Sequence, residues 1–224
     1  MFRPLLAALL LAPAAAFAAS RPVVLELFTS ESCSSCPPAD DLFAELARTR
    51  SDLLPLAFHV DYWNALSWKD QFSSSAATGR QRRHATALDS EVYTPQLVVD
   101  GSWQAVGSDR GAVMAIIAKA QADQAAGPDV WVKAGNGMVT AHIGAGQGRG
   151  EVLLVGFDNL HTTSVGSGEN AGRTVTEANV VRSLALVGAW TGAPLSIRTE
   201  QRAGEQFALL VQDASARIIA AARN

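Results

Sequence analysis

Cysteine is nearly absent from this sequence. Only two of the 224 residues are cysteines, Cys33 and Cys36, and they are three positions apart. Two cysteines cannot form the several disulfides that hold small secreted domains together, nor a four-cysteine zinc site. What remains to be explained is the purpose of a single close pair of thiols.

Charge is scarce as well. Charged residues make up 17% of the sequence and the net charge is −3, whereas 48% of the residues are hydrophobic. This charge content is too low for a charge-rich disordered chain, and the length is sufficient to bury a large core. Because no excess of basic residues is present, we predict a folded protein with no nucleic-acid partner.

Long apolar runs are missing except near the N-terminus, where the pattern is that of a secretory signal. Arg3 precedes an apolar run over residues 5–16, and Ala16 and Ala18 offer small residues before a cleavage site. The run is shorter than the ~20 residues that a transmembrane helix needs. We expect residues 1–18 to be a signal peptide and the mature protein to be secreted or periplasmic, without stable membrane insertion after signal cleavage.

The remaining chain contains two kinds of pattern. Residues 19–127 alternate short apolar runs typical of strands with runs of helical periodicity, whereas residues 128–224 contain mostly strand-like runs separated by turns. We predict an α/β fold, with a thioredoxin-like domain over 19–127 followed by a mostly antiparallel β-rich domain over 128–224.

The cysteine pair lies between the first predicted strand and the first predicted helix. A C-x-x-C motif between a strand and a helix is typical of thioredoxin-like redox proteins. The positive end of a helix dipole favours a thiolate and lowers the pKa of a thiol placed there. We predict that Cys33 is the exposed attacking sulfur and that Cys36 is the buried sulfur that resolves a mixed disulfide.

Two other positions are candidates for the same site. Thr94 and Pro95 precede the third predicted strand, where thioredoxin-like proteins place a cis proline beside the cysteines. The alternative is an ordinary trans proline. Glu26 interrupts the apolar first strand; if buried, its pKa should rise and it could shuttle a proton for Cys36. Alternatively, Glu26 points to solvent or pairs with an arginine.

Aromatic residues follow the second predicted strand. We predict that Tyr62 and Trp63 line a groove for a peptide or protein, unless they only cover the sheet. His59 could join the two cysteines in holding copper or zinc. His84 follows a basic run and is expected on the solvated face of a helix.

Several motifs together resemble a secreted thioredoxin-like family known as domain of unknown function twelve twenty-three. They are ELFTS at 26–30, CSSCPPAD at 33–40, HVDYW at 59–63, YTPQ at 93–96 and GENAGR at 168–173. The resemblance covers nearly all of the mature chain and implies a thioredoxin-like domain followed by a β-rich domain, outside the cytoplasm. We expect residues 168–173 to be a simple connection into the next strand; the alternative is that they reach the thiol site and shape a groove.

The leading hypothesis is an extracytoplasmic thiol–disulfide oxidoreductase that needs no cofactor and acts on protein thiols or disulfides. Cys33 and Cys36 would carry the reaction, with Glu26, Thr94 and Pro95 beside them. Two alternatives stay open. The same cysteines could bind or deliver copper or zinc, or the protein could be a non-catalytic interaction domain whose disulfide stiffens the start of a helix.

Overall fold

A computed structural model describes residues 21–66 and 68–224. The predicted signal peptide lies outside the described residues. In the first half, each predicted strand and helix is present within a few residues of its expected bounds. These elements are β1 Val23–Thr29, α1 Pro37–Thr49, β2 Leu53–His59, α2 Ser75–Ala87, β3 Gln96–Val99, β4 Trp103–Val106 and α3 Arg110–Ala122, with a 3-10 helix at Tyr62–Ala65.

The second half consists of strands. They are β5 Val130–Gly135, β6 Met138–Ile143, β7 Gly150–Ser164, β8 Thr174–Trp190, β9 Leu195–Glu200, β10 Gln206–Gln212 and β11 Ile218–Arg223. β7 extends well beyond the apolar run at 152–157 that indicated it, whereas β8 nearly matches the strand predicted over 174–187. The alanine-rich β11 has no counterpart in the sequence pattern, because alanine is a poor indicator of a strand. Among the described residues, no helix is long and apolar enough to cross a membrane.

Eight strands form one sheet in the order β11-β10-β7-β8-β2-β1-β3-β4. β1 runs parallel to β2 and antiparallel to β3, β8 is parallel to β2, and the remaining neighbours are antiparallel. β5, β6 and β9 form a second, antiparallel sheet. The predicted α/β class is therefore confirmed as a mixed fold with a large, mostly antiparallel sheet and few helices.

The apolar core has three parts. One lies between β1, α1 and α3, on the face to which Val23, Leu25 and Leu27 point. The opposite face packs against α2 and the C-terminal strands, and the third part lies around β5, β6 and β9. The boundary between two domains at residues 127 and 128 stays a prediction. The large sheet and the second part of the core both contain residues from each side of it.

Candidate functional site

Cys33 and Cys36 form a disulfide at the turn between β1 and α1, with their Cα atoms 5.4 Å apart. All seven residues of β1 are buried, so the strand holds the start of this turn in place. Both cysteine side chains are 0% exposed, and only Ser34 and Ser35 of the motif are exposed. The expectation of an exposed Cys33 is therefore wrong, because neighbouring segments cover its sulfur.

The first turn of α1 has no free backbone donor for a thiolate. Cys36 is the N-cap residue, and Pro37 and Pro38, which carry no N–H group, follow it. The N–H groups of Ala39 and Asp40 both donate to the carbonyl oxygen of Cys36, at 2.8 and 3.1 Å. Stabilisation of a thiolate at this helix terminus is therefore limited to the helix dipole.

Side-chain hydroxyls contact the sulfur of Cys33 instead. The peptide bond between Thr94 and Pro95 is cis, as the sequence indicated. Thr94 Oγ1 donates to Cys33 Sγ at 3.3 Å and accepts a hydrogen bond from Trp63 Nε1 at 2.9 Å. Ser35 Oγ lies 3.4 Å from the same sulfur. This arrangement can stabilise negative charge on Cys33.

Glu26 is buried but does not have the properties predicted for a proton shuttle. Its carboxylate accepts hydrogen bonds from Arg80, including one of 2.8 Å from Nη2, and its Oε2 lies 3.2 Å from His84 Nε2. Burial alone would raise the pKa of Glu26, but the charges and hydrogen bonds of Arg80 and His84 outweigh it and lower the pKa to about 2. The expected raised pKa is therefore wrong, and the alternative pairing with an arginine is what occurs.

His84 is also buried rather than on a solvated helix face. The basic run of α2 contributes Arg80 and His84 to the interior because Glu26 is there to pair with them. A charged residue in an otherwise apolar strand and a basic run on a helix were both visible in the sequence. Their pairing depends on how α2 packs on β1, which no local pattern reveals.

A second group of buried charged residues lies around His59, beside the cysteine turn. Asp70 Oδ2 is 2.7 Å from His59 Nδ1 and accepts a 2.9 Å hydrogen bond from the N–H of Glu31, and Glu177 Oε1 is 3.5 Å from His59 Nε2. Burial would lower the pKa of His59, but the charges of Glu177 and Asp70 outweigh it and raise the pKa to about 10. The raised pKa favours the protonated form of His59 between the carboxyl groups of Asp70 and Glu177.

Two carboxyl groups beside His59 also have raised pKa values. Burial raises the pKa of Glu177 to about 7 and raises the pKa of Asp40, on α1, well above its usual range. Asp40 accepts a 2.8 Å hydrogen bond from Thr29 Oγ1. Asp40, Asp70 and Glu177 were not among the site residues predicted from the sequence. The signals were an acid one helical turn after the second cysteine and an acid within an apolar part of β8.

The group around His59 does not support the metal hypothesis. Within residues 21–66 and 68–224, no three or more His, Cys, Asp and Glu side chains are arranged to hold a metal ion. Both ring nitrogens of His59 face carboxylates, and both cysteine sulfurs are in the disulfide.

Tyr62 and Trp63 lie in the 3-10 helix after β2, and both are half-buried. Their polar atoms are used within the protein: Tyr62 Oη donates to Gln81 Oε1 at 3.3 Å, and Trp63 Nε1 donates to Thr94. Trp63 thus belongs to the surroundings of Cys33. A role of the two rings in binding a substrate stays a prediction.

The connection between β7 and β8 reaches the cysteine turn, so the expectation that residues 168–173 are a simple connection is wrong. That they shape a groove stays a prediction. Asn170 is buried, and its Nδ2 donates to the carbonyl oxygens of Glu31 and Cys33, each at 2.9 Å. Glu169 Oε2 accepts a hydrogen bond from the N–H of Ser34 at 3.3 Å. The C-terminal half of the chain therefore contributes hydrogen bonds directly to the main chain of the cysteine turn.

Comparisons with known proteins identify the family of this chain and solved structures with a similar fold. A crystal structure of protein AGR_C_4864 from Agrobacterium tumefaciens is 30% identical, with 92% of this chain and 94% of that chain covered and a TM-score of 0.77. HBP35 of Porphyromonas gingivalis is 16% identical, with 92% of this chain and 75% of that chain covered and a TM-score of 0.62, a likeness of fold alone. No curated protein matches the chain. The family model described as "Protein of unknown function (DUF1223)" matches residues 24–212, and the chain belongs to this family.

Proposed function

We propose that this protein is a thiol–disulfide oxidoreductase that acts outside the cytoplasm through Cys33 and Cys36. The observation that carries the proposal is the hydrogen bond from Thr94 Oγ1 to Cys33 Sγ, beside a cis proline. A donor aimed at this sulfur stabilises the charge that develops there when the disulfide opens.

We infer further that residues 19–127 form a thioredoxin-like unit. Support comes from the strand order β2-β1-β3-β4, in which β1 is parallel to β2 and antiparallel to β3. Helices lie on both faces: α1 and α3 share one apolar cluster with β1, and α2 contributes to the cluster on the other face. The cysteine turn follows the carboxyl end of β1, where such sheets present their binding residues.

The proposed reaction transfers two electrons. In the reducing direction the thiolate of Cys33 attacks a substrate disulfide, a bond forms between Cys33 and one substrate sulfur, and the other substrate sulfur leaves as a thiolate. Cys36, after losing its proton, attacks Cys33 Sγ, so that the internal disulfide forms and the second substrate thiolate is released. The oxidising direction is the reverse of these steps.

Trapping of the mixed disulfide tests the proposal. C36A should accumulate disulfide-linked complexes with protein partners, because it cannot complete the second step, whereas C33A should trap far fewer. The complexes should disappear under reducing agent on a non-reducing gel. If C36A traps no partner and the wild-type protein exchanges disulfides with no dithiol, the proposed function is wrong.

Export is tested independently of the chemistry. The N-terminal pattern supports cleavage after Ala18. We expect the exported protein to begin at Ala19 and to carry an oxidised pair, both measurable by mass spectrometry after alkylation of free thiols. An intact N-terminus on protein recovered from the cytoplasm would contradict the proposed location.

Complete burial of both sulfurs favours one other function, a non-catalytic interaction domain whose disulfide stiffens the turn. The reduction potential of the Cys33–Cys36 disulfide distinguishes this interaction domain from an oxidoreductase. Structural disulfides of secreted proteins have potentials below about −300 mV, whereas catalytic pairs are more easily reduced. A short disulfide loop removes little chain entropy, so stabilisation alone is a weak reason for this pair.

A further inference from the structure

The loop between β7 and β8, residues 165–173, has a compact shape of its own. Val165 and Arg173 are joined by a 2.9 Å hydrogen bond, and Gly172 N donates to Val165 O at 2.8 Å. Gly168 and Gly172 have φ values of 82° and 78°, which favour glycine. The loop is thus closed at its base and presents Asn170 from its tip as a defined structure.

Asn170 binds only main-chain atoms of the cysteine turn. Its Nδ2 donates to the carbonyl oxygens of Glu31 and Cys33, and the side chain lies in a buried position, 1% exposed. Among the described residues, no donor reaches its Oδ1. Two hydrogen bonds from one amide group to backbone carbonyls two residues apart hold the loop and the turn in one relative position.

Trp68 supports the loop from a second side. A Cβ atom added at Gly166 would lie 3.2 Å from the Trp68 ring, so the loop backbone lies directly on it. Trp68 is itself tied to the cysteine turn, because its Nε1 donates to Glu31 Oε2 at 2.7 Å and its carbonyl accepts from Ser32 Oγ at 2.8 Å. The loop is therefore attached to the turn through Asn170 and rests on a ring fixed to the same turn.

We infer that Asn170 is a positioning residue that latches this loop to the cysteine turn beside Cys33 and thereby selects among reductants by size. The inference rests on the proposed function, since it assumes that Cys33 is the attacked sulfur. One thiolate of a dithiol reductant bonds to Cys33 Sγ and displaces Cys36 as a thiolate. The second thiol of the reductant, after losing its proton, attacks the reductant sulfur bound to Cys33 and releases Cys33 as a thiolate. The reductant leaves as a disulfide.

The physical basis of the selection is the access of a reductant to the sulfur of Cys33. Cys33 is 0% exposed, whereas Ser34 and Ser35 beside it are exposed. A small dithiol needs only a slight displacement of this exposed part of the turn. A protein dithiol must bring a folded surface against the sulfur, so the loop has to move away and the Asn170 hydrogen bonds have to break.

Reduction rates with two probes test the latch. Dithiothreitol and reduced thioredoxin would each reduce the purified oxidised protein, with acid quenching, alkylation and mass spectrometry as the readout. In N170A the rate with thioredoxin, divided by the rate with dithiothreitol, should rise by about tenfold to thirtyfold, because two hydrogen bonds no longer oppose opening. N159A is the matched control: it replaces an exposed asparagine of β7 whose side chain contacts Glu205 instead, and the ratio should not change.

A second variant covers the case in which N170A does not fold. G172A adds a methyl group where no atom lies within 4 Å, but at a φ that disfavours it, so only the loop backbone is strained. The ratio should rise in the same direction by a smaller factor. Equal acceleration of both probes in these variants, or no change in the ratio, overturns the latch. Failure of both probes to reduce any form overturns the proposed function instead.

Discussion

The indole N–H of Trp63 donates to the hydroxyl oxygen of Thr94 at 2.9 Å, and the hydroxyl in turn donates to Cys33 Sγ at 3.3 Å. Because the hydroxyl oxygen of Thr94 already accepts a hydrogen bond from Trp63, its single proton is donated to the sulfur of Cys33. The first turn of α1 supplies no free N–H group, so the hydroxyls of Thr94 and Ser35 are the polar groups of the described residues that contact Cys33 Sγ.

Removing the hydroxyl should therefore raise the pKa of the Cys33 thiol. T94V keeps a similar shape but lacks the donor, and a hydrogen bond to a charged acceptor is worth about 1.5–3 kcal/mol, or one to two pKa units. The thiolate absorbance of the reduced protein, titrated in a C36S background, measures the change. W63F should shift the pKa in the same direction by less, since it frees the hydroxyl to rotate. An unchanged pKa in T94V would contradict the role assigned to Thr94.

The buried pairing of Glu26 should stabilise the protein except in strong acid. The folded pKa is lowered to about 2 from an ordinary 4.5, so the contribution is present above about pH 4.5 and is lost as the pH falls through 2. E26Q leaves the buried Arg80 without a carboxylate partner, while its hydrogen bond to Gln212 remains, and should cost about 3 kcal/mol at neutral pH.

Urea unfolding of E26Q and the wild-type protein across this pH range measures the effect. The two stability curves should converge as the pH approaches 2. E45Q is the control, because Glu45 forms an exposed ion pair with Arg110 and its loss should change stability little. A constant gap between wild-type and E26Q curves down to pH 2 would contradict the ionisation described for Glu26.

His59 should make stability fall as the solution becomes alkaline. Its pKa is raised in the folded state to about 10 from 6.5, so its contribution is fully present below pH 6.5 and is lost as the pH rises through 10. Glu177, with a pKa raised to about 7 from 4.5, adds a separate fall in stability as the pH rises from 4.5 to 7. H59Q should be less stable than the wild-type protein near pH 6 and approach it near pH 10.

Thermal or urea unfolding between pH 6 and 10 tests this dependence of stability on pH. H142Q is the matched control, because His142 is on β6 and contacts Ser196. Parallel curves for H59Q and the wild-type protein would show that His59 does not carry the buried charge.

The junction of β2 with β8 depends on Asn179, whose Nδ2 donates to the carbonyl oxygen of Pro55 at 2.8 Å. Asn179 has a φ of 52°, which a residue with a Cβ atom adopts at a cost. N179G loses only the hydrogen bond, and we expect a loss of about 1–3 kcal/mol. N179A adds backbone strain and should be less stable than N179G by about 1 kcal/mol. Denaturant titration measures both, and equal stability of the two variants would contradict the strain argument.

Features that depend on neighbours in the chain were predictable from the sequence. The cysteine spacing, the position of Thr94 before a strand, and the three helices of the first half follow from local patterns. Features that depend on tertiary contacts were not. Glu26 could be recognised as an unusual strand residue, but its pKa is set by Arg80 and His84, 54 and 58 positions along the chain.

The contacts of the cysteine turn show the same limit. Spacing predicts that Cys33 is the first cysteine of the motif, but its carbonyl oxygen accepts a hydrogen bond from Asn170, 137 positions along the chain. The composition of residues 168–173 indicated a loop but not the position of that loop in the fold. The β7–β8 hairpin determines that position, because its pairing extends to Ser164 and Thr174 on either side of the loop.

The place of β8 in the large sheet has a consequence for any attempt to shorten the protein. β8 pairs with β2 and directly follows the loop that contains Asn170, so the same hairpin continues the sheet beyond β2 and holds the cysteine turn. A fragment ending at residue 127 would expose β2 as an unpaired edge and would uncover the part of the apolar face of Leu54, Leu56 and Phe58 that the C-terminal strands cover. Such a fragment would be prone to aggregate, and the cysteine turn could not be isolated as a miniature redox domain.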